Sequence, residues 1–275
     1  MSNKLCVSTV INKAYQKYIP IFLYFCLKSY PNYNIKLFLT EGLNNNYKFF
    51  IDELSKFGYI DIKEYCFKEY PKSNQELKML RWMLDSNDFD GYEYAYIGDI
   101  DIIICREDKP LLDQHLDHCA ETKLPYSNSV RPNSRRLSGL HFIKKDDYYF
   151  KMDHIIQKYK NELRNNQLNR VKNEELLYKM VVESGFCLPE GWFRPHHGIH
   201  LGLYRKGERI LGNSFWAGGA SREDYKSYYK FYKSIVSIKD PLFNKIINST
   251  VKREVKAMEK SFSIEFDKEL DKNGV

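Results

Sequence analysis

Residues 92–104, YEYAYIGDIDIII, contain an aromatic, β-type run that leads directly into Gly98, Asp99 and Asp101. Such a run predicts a buried strand, and residues two apart in extended backbone point to the same side. Asp99 and Asp101 should therefore present two carboxylates together beyond the carboxyl end of the strand. Close carboxylates repel each other unless a cation lies between them, so the pattern indicates either a divalent metal held by oxygen ligands or a turn whose aspartates accept from backbone amides.

The residues before this segment alternate between strand and helix patterns. A capping-box pattern at Ser73 and Glu76 opens the helix that precedes the aspartates. Strand-like runs cover 5–10, 35–40, 59–62 and 92–97, and helical patterns cover 14–29 and 47–57. Because parallel strands need helical crossovers, the alternation predicts an α/β fold with helices on both faces of the sheet and a ligand site at the carboxyl ends of its strands.

The pattern becomes mixed after Cys105, and we expect the sheet to become mixed there as well. Helices are predicted over 111–120, 148–163 and 174–183, and strands over 137–143 and 200–204. Residues 215–219, FWAGG, are either an aromatic loop that closes over an acceptor or a plain connector. From Arg222 onward the chain is rich in Lys, Tyr and Phe at helical spacing. We therefore expect a catalytic α/β domain over 1–220 and a helical C-terminal extension over 221–275.

Composition bounds the classes of protein to which the chain can belong. Its 275 residues are 43% hydrophobic and 15% aromatic, which excludes an intrinsically disordered chain. The net charge of +7 permits a phosphate ligand, nucleic acid or an anionic membrane surface without selecting among them. Six cysteines without a CxxC pair indicate reduced thiols. The apolar run 18–27 is too short to span a bilayer and 5–10 is too short for a signal peptide, so a cytoplasmic protein is expected.

The Asp-x-Asp motif after a fourth strand resembles the GT-A class of metal-dependent, nucleotide-sugar glycosyltransferases. The resemblance recurs in pieces along roughly the first 205 residues. It implies a GT-A-like, Rossmann-type central mixed sheet flanked by helices. It also implies that Asp99, Ile100 and Asp101 form the motif that holds Mn²⁺ or Mg²⁺ against the two phosphates of a sugar nucleotide, where the metal stabilises the departing diphosphate.

The resemblance also assigns residues to the parts of the donor. The end of the first strand is assigned to the nucleoside, the basic helix to ribose or phosphate oxygens, and a strand with an interior glycine to the donor sugar. The residues are Val7, Ser8 and Thr9 at the end of the strand, Lys78 and Arg81 on the basic helix, and Ser138 and Gly139 on the strand with the glycine. The alternative explanations are ordinary strand residues for the first strand and a solvated basic edge for the helix.

An acidic helix start follows at Glu174 and Glu175, with Asn173 as the predicted N-cap. In the family, a pair at this point faces the reacting sugar carbon as catalytic base or as stabiliser of an oxocarbenium-like state. The alternative is a favourable interaction of two acids with the helix dipole. Helical spacing turns Glu174 inward and Glu175 towards the rim. The motif does not choose between an inverting and a retaining reaction.

A late histidine cluster completes the resemblance. His200 resembles the metal-ligand histidine of glycogenin-like and lipopolysaccharide-galactosyltransferase-like relatives, and Arg205 stands where they have a diphosphate-binding lysine. The spacing here is His-x-Gly-x-x-Arg rather than His-x-x-Gly-x-x-Lys. His196 and His197 therefore remain alternative metal ligands.

Taken together, these features predict an enzyme, a hexosyltransferase that moves a sugar from a nucleotide diphosphate donor, with UDP favoured. The acceptor would be a saccharide or lipid-linked saccharide of capsule or lipopolysaccharide assembly. The basic, aromatic C-terminal stretch either contacts the inner face of the membrane or packs on the core. The alternatives are a metal-dependent phosphodiesterase or nucleotidyltransferase, and a non-catalytic sugar- or nucleic-acid-binding module. Because no RRM-like or KH-like signature is present, nucleic acid is not the expected partner.

Overall fold

The computed structural model describes residues 4–70, 73–168, 171–211 and 220–267. Strands and helices alternate in the first part of the chain, as the sequence predicts. The strands are β1 (Leu5–Ile11), β2 (Asn34–Leu39), β3 (Ile60–Lys63) and β4 (Tyr94–Ile97), and the helices are α1 (Ile19–Ser29), α2 (Asn45–Leu54) and α3 (Asn74–Met79). Short 3₁₀ helices at Lys13–Tyr18, Leu80–Met83 and Ser86–Phe89 complete this part.

The second part of the chain mixes short strands with longer helices. It contains β5 (Ile102–Ile104), α4 (Leu111–Thr122), β6 (Tyr126–Ser127), β7 (His141–Lys144), α5 (Lys145–Arg164), α6 (Asn173–Glu183) and β8 (Gly198–His200). A 3₁₀ turn (Leu201–Tyr204) follows β8. The C-terminal helices are α7 (Arg222–Ser237), α8 (Pro241–Thr250) and α9 (Lys252–Phe262), with a π-helical turn at Ser263–Asp267.

The central sheet is mixed and has the order β3-β2-β1-β4-β7-β6. β1 to β4 run parallel, whereas β7 is antiparallel to β4 and β6 is antiparallel to β7. The predicted fold class, an α/β fold with a mixed central sheet flanked by helices, is confirmed. The strand order reverses between β1 and β4, and such a reversal opens a crevice at the carboxyl ends of the two strands. Because Ser8 pairs with Ile97, the last residues of β1 extend beyond β4 and flank the two aspartates.

A two-stranded ribbon stands beside the main sheet. β5 and β8 pair antiparallel, with Ile102 opposite His200 and Ile104 opposite Gly198. Gly198 has a φ of 136°, and a Cβ there would lie 1.8 Å from the carbonyl oxygen of Ile103, so only glycine fits. Directly beyond the ribbon, the amide of Leu201 donates to the carbonyl of Asp101 over 2.8 Å. This pairing brings a late strand to the second aspartate.

The C-terminal helices pack on the α/β part. Tyr225, Tyr228, Tyr229 and Tyr232 of α7 are buried and belong to the same apolar core cluster as α1. The ring of Tyr232 stacks on Phe25, with ring centroids 5.9 Å apart. For these tyrosines the sequence left two alternatives open, contact with a membrane or packing on the core, and the structure places them in the core. Among the described helices, none is both long enough and apolar enough to cross a bilayer.

Three local predictions differ from the structure. The predicted strand 137–143 is shorter, because the amide of Ser138 donates to the Ser129 carbonyl and to Asn128 Oδ1 instead of to a neighbouring strand. The predicted strand 200–204 ends at His200, where the 3₁₀ turn begins. Asn173 is the first helical residue rather than the N-cap of α6, and its side chain accepts from Trp82 Nε1 over 2.5 Å. The expected aromatic loop 215–219 lies outside the described residues.

Candidate functional site

A cavity of about 270 Å³ lies at the switch point between β1 and β4. It gathers most of the residues that the resemblance assigned to the nucleotide and the metal. Its lining includes the predicted Thr9, Lys78, Arg81, Asp99, Ile100, Asp101, Glu174, His200 and Arg205. We call it the donor cavity below. Five residues that were not predicted also line it, namely Val10, Asn12, Tyr15, Leu77 and Asn173.

Asp101 is the most enclosed acid of this cavity, with 3% of its surface exposed. His200 Nε2 lies 2.9 Å from its Oδ1, and Arg205 Nη2 donates to its Oδ2. Burial alone would raise the pKa of Asp101, but the charges of His200 and Arg205 outweigh it and hold that pKa below its usual range. Burial likewise opposes the charge on His200, and the Asp101 carboxylate raises the His200 pKa in spite of it. The three groups therefore form a charged cluster.

The 3₁₀ turn after β8 sets the position of Arg205. Its Nη1 donates to the hydroxyl of Tyr15 over 2.8 Å and its Nε donates to that of Tyr18 over 3.1 Å. The guanidinium lies 4.6 Å from the centroid of the Tyr15 ring, a cation–π distance. A Cβ on Gly202 would lie 2.3 Å from Asp101 Oδ2, so the turn approaches the carboxylate too closely for a side chain.

Asp99 has a different cation. Arg81 Nη1 donates to its Oδ1 over 2.5 Å, and the Arg81 guanidinium lies 4.7 Å from the centroid of the Trp82 ring. The Asp99 side chain is 34% exposed, whereas the Arg81 side chain is only 10% exposed. Trp82 is itself held by its hydrogen bond to Asn173. The two carboxylates of the motif thus line one cavity but are neutralised by different cations.

Gly139 lies at the junction of the functional groups. An added Cβ there would be 3.2 Å from Arg81 Nη2, 3.5 Å from Asp99 Oδ2 and 3.5 Å from Glu174 Oε1. Its neighbour Ser138 does not line the donor cavity, and its Oγ accepts from Arg194 Nε over 2.8 Å. Because residue 139 has no side chain, space remains between Arg81, Asp99 and Glu174.

The acidic pair at the start of α6 is divided. Glu174 lines the donor cavity and accepts from Arg131 Nη2. Glu175 faces away and pairs with Lys179 at 3.4 Å, and it does not line the donor cavity. Val7 and Ser8, which are buried within β1, do not line this cavity either. Of the predicted residues of β1, Thr9 alone lines this cavity.

A second cavity of about 480 Å³ adjoins the first and shares Asp99, Glu174 and His200 with it. Its remaining lining is rich in arginine, and we call it the arginine cavity. Those residues are Ile102, Ser129, Val130, Arg131, Pro132, Arg136, Ser138, Gly139, Leu140, Phe193, Arg194, His196, Leu203 and Tyr225. The two cavities meet at the three residues that they share, and Gly139, which lines the arginine cavity, lies beside Asp99 and Glu174.

Asp99, Asp101 and His200 are the candidate metal ligands. In the described ranges, no group of three or more His, Cys, Asp or Glu side chains is already arranged around one point as a metal site. Two carboxylates and one imidazole on a single cavity wall are nevertheless donors that suit Mn²⁺. Space remains beside Asp99 Oδ2 because Gly139 has no side chain. The residues present therefore fit such an ion. It would neutralise Asp99 and Asp101 in place of Arg81, Arg205 and the His200 proton.

His196 and His197, the alternative ligands, lie elsewhere. His196 lines the arginine cavity instead, and burial holds its pKa well below its usual range. His197 Nδ1 contacts Glu107 at 2.5 Å and its Nε2 lies 3.1 Å from His115 Nε2. Neither lines the donor cavity, which leaves His200 as the histidine beside the aspartates.

Some residues of the site carried no clear signal in the sequence. Tyr15 belongs to an apolar-looking helical stretch, and its contact with Arg205 joins residues 190 positions apart. Asn173 was interpreted as a cap. Arg194 is followed by Pro195 and two histidines and carries no motif. In each case the role depends on a long-range contact, which local periodicity does not encode.

Comparisons with known proteins add structural likenesses. No family model and no curated protein matches the chain. The apo-form glycosyltransferase GlyE of Streptococcus pneumoniae TIGR4 is 12% identical, with a TM-score of 0.45 over 66% of this chain and 44% of GlyE. The galactosyltransferase LgtC, solved with donor and acceptor sugar analogs, is 12% identical, with a TM-score of 0.39 over 62% of this chain and 69% of LgtC. Core-mannan synthase A of Aspergillus fumigatus in its Mn/GDP form is 9% identical, with a TM-score of 0.47 over 84% of this chain and 85% of the synthase.

The chain spans less than half the length of GlyE. At these identities and scores a likeness does not transfer an activity, and a fold alone does not imply a function. What this protein does has to be inferred from the side chains of the donor cavity and the arginine cavity.

Proposed function

We propose that this protein is an enzyme, a glycosyltransferase that moves a sugar from a nucleotide diphosphate donor to a saccharide or glycolipid acceptor. The observation that supports this most is the cluster of Asp101, His200 and Arg205, a buried carboxylate held by two cations at the switch point of an α/β sheet. In such a cluster a metal ion can replace the cations that now pair with the carboxylate, and a diphosphate can bind to that metal. UDP is the nucleotide that we favour, on the sequence resemblance.

The donor cavity has the charges that a diphosphate requires. Lys78, Arg81 and Arg205 line it and can offset phosphate charge, while Thr9 and Asn12 at the end of β1 offer polar groups to a nucleoside. Asp99, Asp101 and His200 would hold Mn²⁺ or Mg²⁺. When bound, the ion would act as a Lewis acid that lowers the cost of charge developing on the leaving diphosphate.

Glu174 is the carboxylate placed to act on the sugar. It lies where the donor cavity meets the arginine cavity, 3.5 Å from the position of a Cβ on Gly139, and Arg131 orients it. A carboxylate at that point can take a proton from an acceptor hydroxyl or stabilise positive charge on the sugar ring. We assign the catalytic role to Glu174 rather than to Glu175, because Glu175 is bound to Lys179 outside the cavity.

The helical C-terminal extension supports the donor cavity in this proposal. Glu254 of α9 accepts from Lys17 and, over 3.0 Å, from the hydroxyl of Tyr18. That hydroxyl in turn accepts from Arg205 Nε. We infer that 221–275 stabilises the position of Arg205, whereas 1–220 carries the chemistry. Capsule or lipopolysaccharide assembly is the setting that the sequence resemblance suggests.

Product analysis tests the proposal. The protein would be incubated with UDP-, GDP- and other sugar nucleotides, with Mn²⁺ or with EDTA, and with saccharide acceptors, and products would be identified by mass spectrometry. We expect released nucleoside diphosphate and a sugar-extended acceptor from the wild type with metal, and none from Asp101→Asn. Phosphodiester hydrolysis without sugar transfer would instead indicate the phosphodiesterase alternative. RNA affinity without metal-dependent nucleotide binding would indicate a binding module.

A further inference from the structure

Arg194 is a buried arginine that forms no ion pair with any carboxylate in the described part of the chain. Only 6% of its surface is exposed. Its Nε donates to Ser138 Oγ over 2.8 Å and its Nη1 donates to the carbonyl of Pro195 over 2.6 Å. Its Nη2 makes no hydrogen bond to a described residue and is not among the fully enclosed polar atoms. Arg194 lines the arginine cavity, and it also lines a separate cavity with Glu107, Asp117 and Asp224, described carboxylates with which it forms no ion pair.

The charge on Arg194 needs an explanation. Loss of water lowers the pKa of its guanidinium, but an arginine stays protonated in proteins. A buried charge that has no counter-charge destabilises a fold, so such residues usually have a paired acid. No described carboxylate is within ion-pair distance of Arg194. A ligand that supplies negative charge would remove this penalty.

The two described carboxylates of the arginine cavity form no ion pair with Arg194. They are already bound to other cations, Asp99 to Arg81 and Glu174 to Arg131. Arg136 also lines the cavity and has no described acid partner. The cavity therefore has more positive than negative charge in its described lining.

We propose that the arginine cavity binds an anionic group of a saccharide substrate, a carboxylate or a phosphate, through Arg194 with Arg136 as its second cation. The planar guanidinium is suited to a carboxylate or a phosphate, which can accept from it with two oxygens. A neutral sugar would leave the buried charge of Arg194 unmatched. The inference rests on the proposed function for its claim that the ligand is a saccharide, and on Arg194 alone for its claim that the ligand is an anion.

Two sources share this chemistry. The arginine cavity shares Asp99 and Glu174 with the donor cavity, so the anionic group can belong to the donor sugar. It can equally belong to the acceptor, because the remainder of the arginine cavity extends away from the nucleotide residues. Matched pairs of probes distinguish the two sources, and binding rather than turnover is the readout.

Calorimetry of the full chain provides the test. For a donor-borne group, UDP-glucuronic acid is compared with UDP-glucose in the presence of Mn²⁺. For an acceptor-borne group, glucuronic acid is compared with methyl glucoside after saturation with UDP and Mn²⁺. Each pair is measured in the wild type, in Arg194→Gln and Arg136→Gln, and in Arg135→Gln as a matched control. Arg135 is exposed on the same loop, lines neither cavity and loses the same charge.

We expect the wild type to prefer the anionic member of one pair by about tenfold or more, as for charge-assisted hydrogen bonds. The preference should disappear in Arg194→Gln, weaken in Arg136→Gln and persist in Arg135→Gln, and inorganic phosphate should compete with the anionic probe. Equal affinity for charged and neutral members of both pairs overturns the proposal. So does a preference that survives in a folded Arg194→Gln protein, with folding checked by circular dichroism.

Two further controls separate the possible failures. If Arg194→Gln does not fold, the wild-type preference, its weakening in Arg136→Gln and its persistence in Arg135→Gln still decide the question. If the wild type fails to bind UDP with or without metal, the proposed function fails. Titration of glucuronic acid against methyl glucoside in the absence of nucleotide then tests the anion site independently.

Discussion

Replacing Gly139 by alanine should leave the fold intact and obstruct the junction of the donor cavity and the arginine cavity. Gly139 is not among the glycines with positive φ, so alanine fits its backbone. The new methyl group would be 3.5 Å from both Asp99 Oδ2 and Glu174 Oε1, which is ordinary contact, and 3.2 Å from Arg81 Nη2. Arg81 would have to move by a few tenths of an ångström.

The size of the effect follows from these distances. Reduced entropy of the unfolded chain favours alanine by about 0.4–1 kcal/mol, and the displacement of Arg81 offsets a similar amount. The melting temperature should therefore change by no more than about 2–4 °C. A sugar entering the same space would meet the methyl group, and overpacking of about 1–3 kcal/mol weakens binding by roughly 5–150-fold.

Calorimetry distinguishes this effect from general damage. For Gly139→Ala, we expect UDP to bind within about twofold of the wild type, because Arg81 has to move by only a few tenths of an ångström and Asp99 meets the methyl group at ordinary contact distance. A transferable UDP-sugar should bind at least about fivefold more weakly. Gly202→Ala is the comparison variant. Its Cβ would lie 2.3 Å from Asp101 Oδ2, so it should lose stability and UDP affinity together. Unchanged UDP-sugar affinity and transfer in Gly139→Ala would refute the reasoning about the junction.

Substitutions at four other charged residues should give distinct outcomes. Glu174→Gln should lower the transfer rate by about 100-fold or more, whereas Glu175→Gln should change it by less than about threefold, in initial-rate assays. Glu254→Gln should reduce the free energy of unfolding by about 1–2 kcal/mol at pH 7 in urea titrations, because Lys17 and Tyr18 outweigh burial and lower the Glu254 pKa. A carboxylate whose pKa is lowered by folding stabilises the fold at pH values above its pKa in the unfolded chain. The stability difference between the wild type and Glu254→Gln should therefore shrink as pH falls below 4.5. Arg205→Lys should weaken UDP binding by about tenfold in calorimetry, because lysine cannot contact Tyr15, Tyr18 and Asp101 at once.

Local sequence patterns predict the parts of the fold that local contacts determine. The four parallel strands and the position of the Asp-x-Asp motif follow from period-two and helical spacing, and Ser73 and Glu76 form the predicted capping box. The mixed second part is less predictable, because its strands are short. β7 begins four residues later than expected, since Ser138 pairs with the 128–129 loop rather than with a strand.

The site depends on contacts that are distant in sequence. The resemblance assigned His200 and Arg205, but their meeting with Asp101 requires the β5–β8 pairing and the positive φ of Gly198. The division of the acidic pair, with Glu174 in the cavity and Glu175 on Lys179, agrees with their helical spacing. The Arg194 guanidinium, which forms no ion pair with a described carboxylate, has no local signature in the sequence. Its state depends on which carboxylates the fold brings near and which of them pair with other cations.

The central claim is that Asp101 and its neighbours hold a divalent ion that binds a nucleoside diphosphate. Calorimetric titration of UDP into the wild type and Asp101→Asn, each with Mn²⁺ and with EDTA, tests it most directly. We predict that Mn²⁺ raises the UDP affinity of the wild type by at least about tenfold and leaves that of Asp101→Asn unchanged. Equal UDP affinity of the wild type in Mn²⁺ and EDTA, or an undiminished metal effect in a folded Asp101→Asn protein, would contradict the claim.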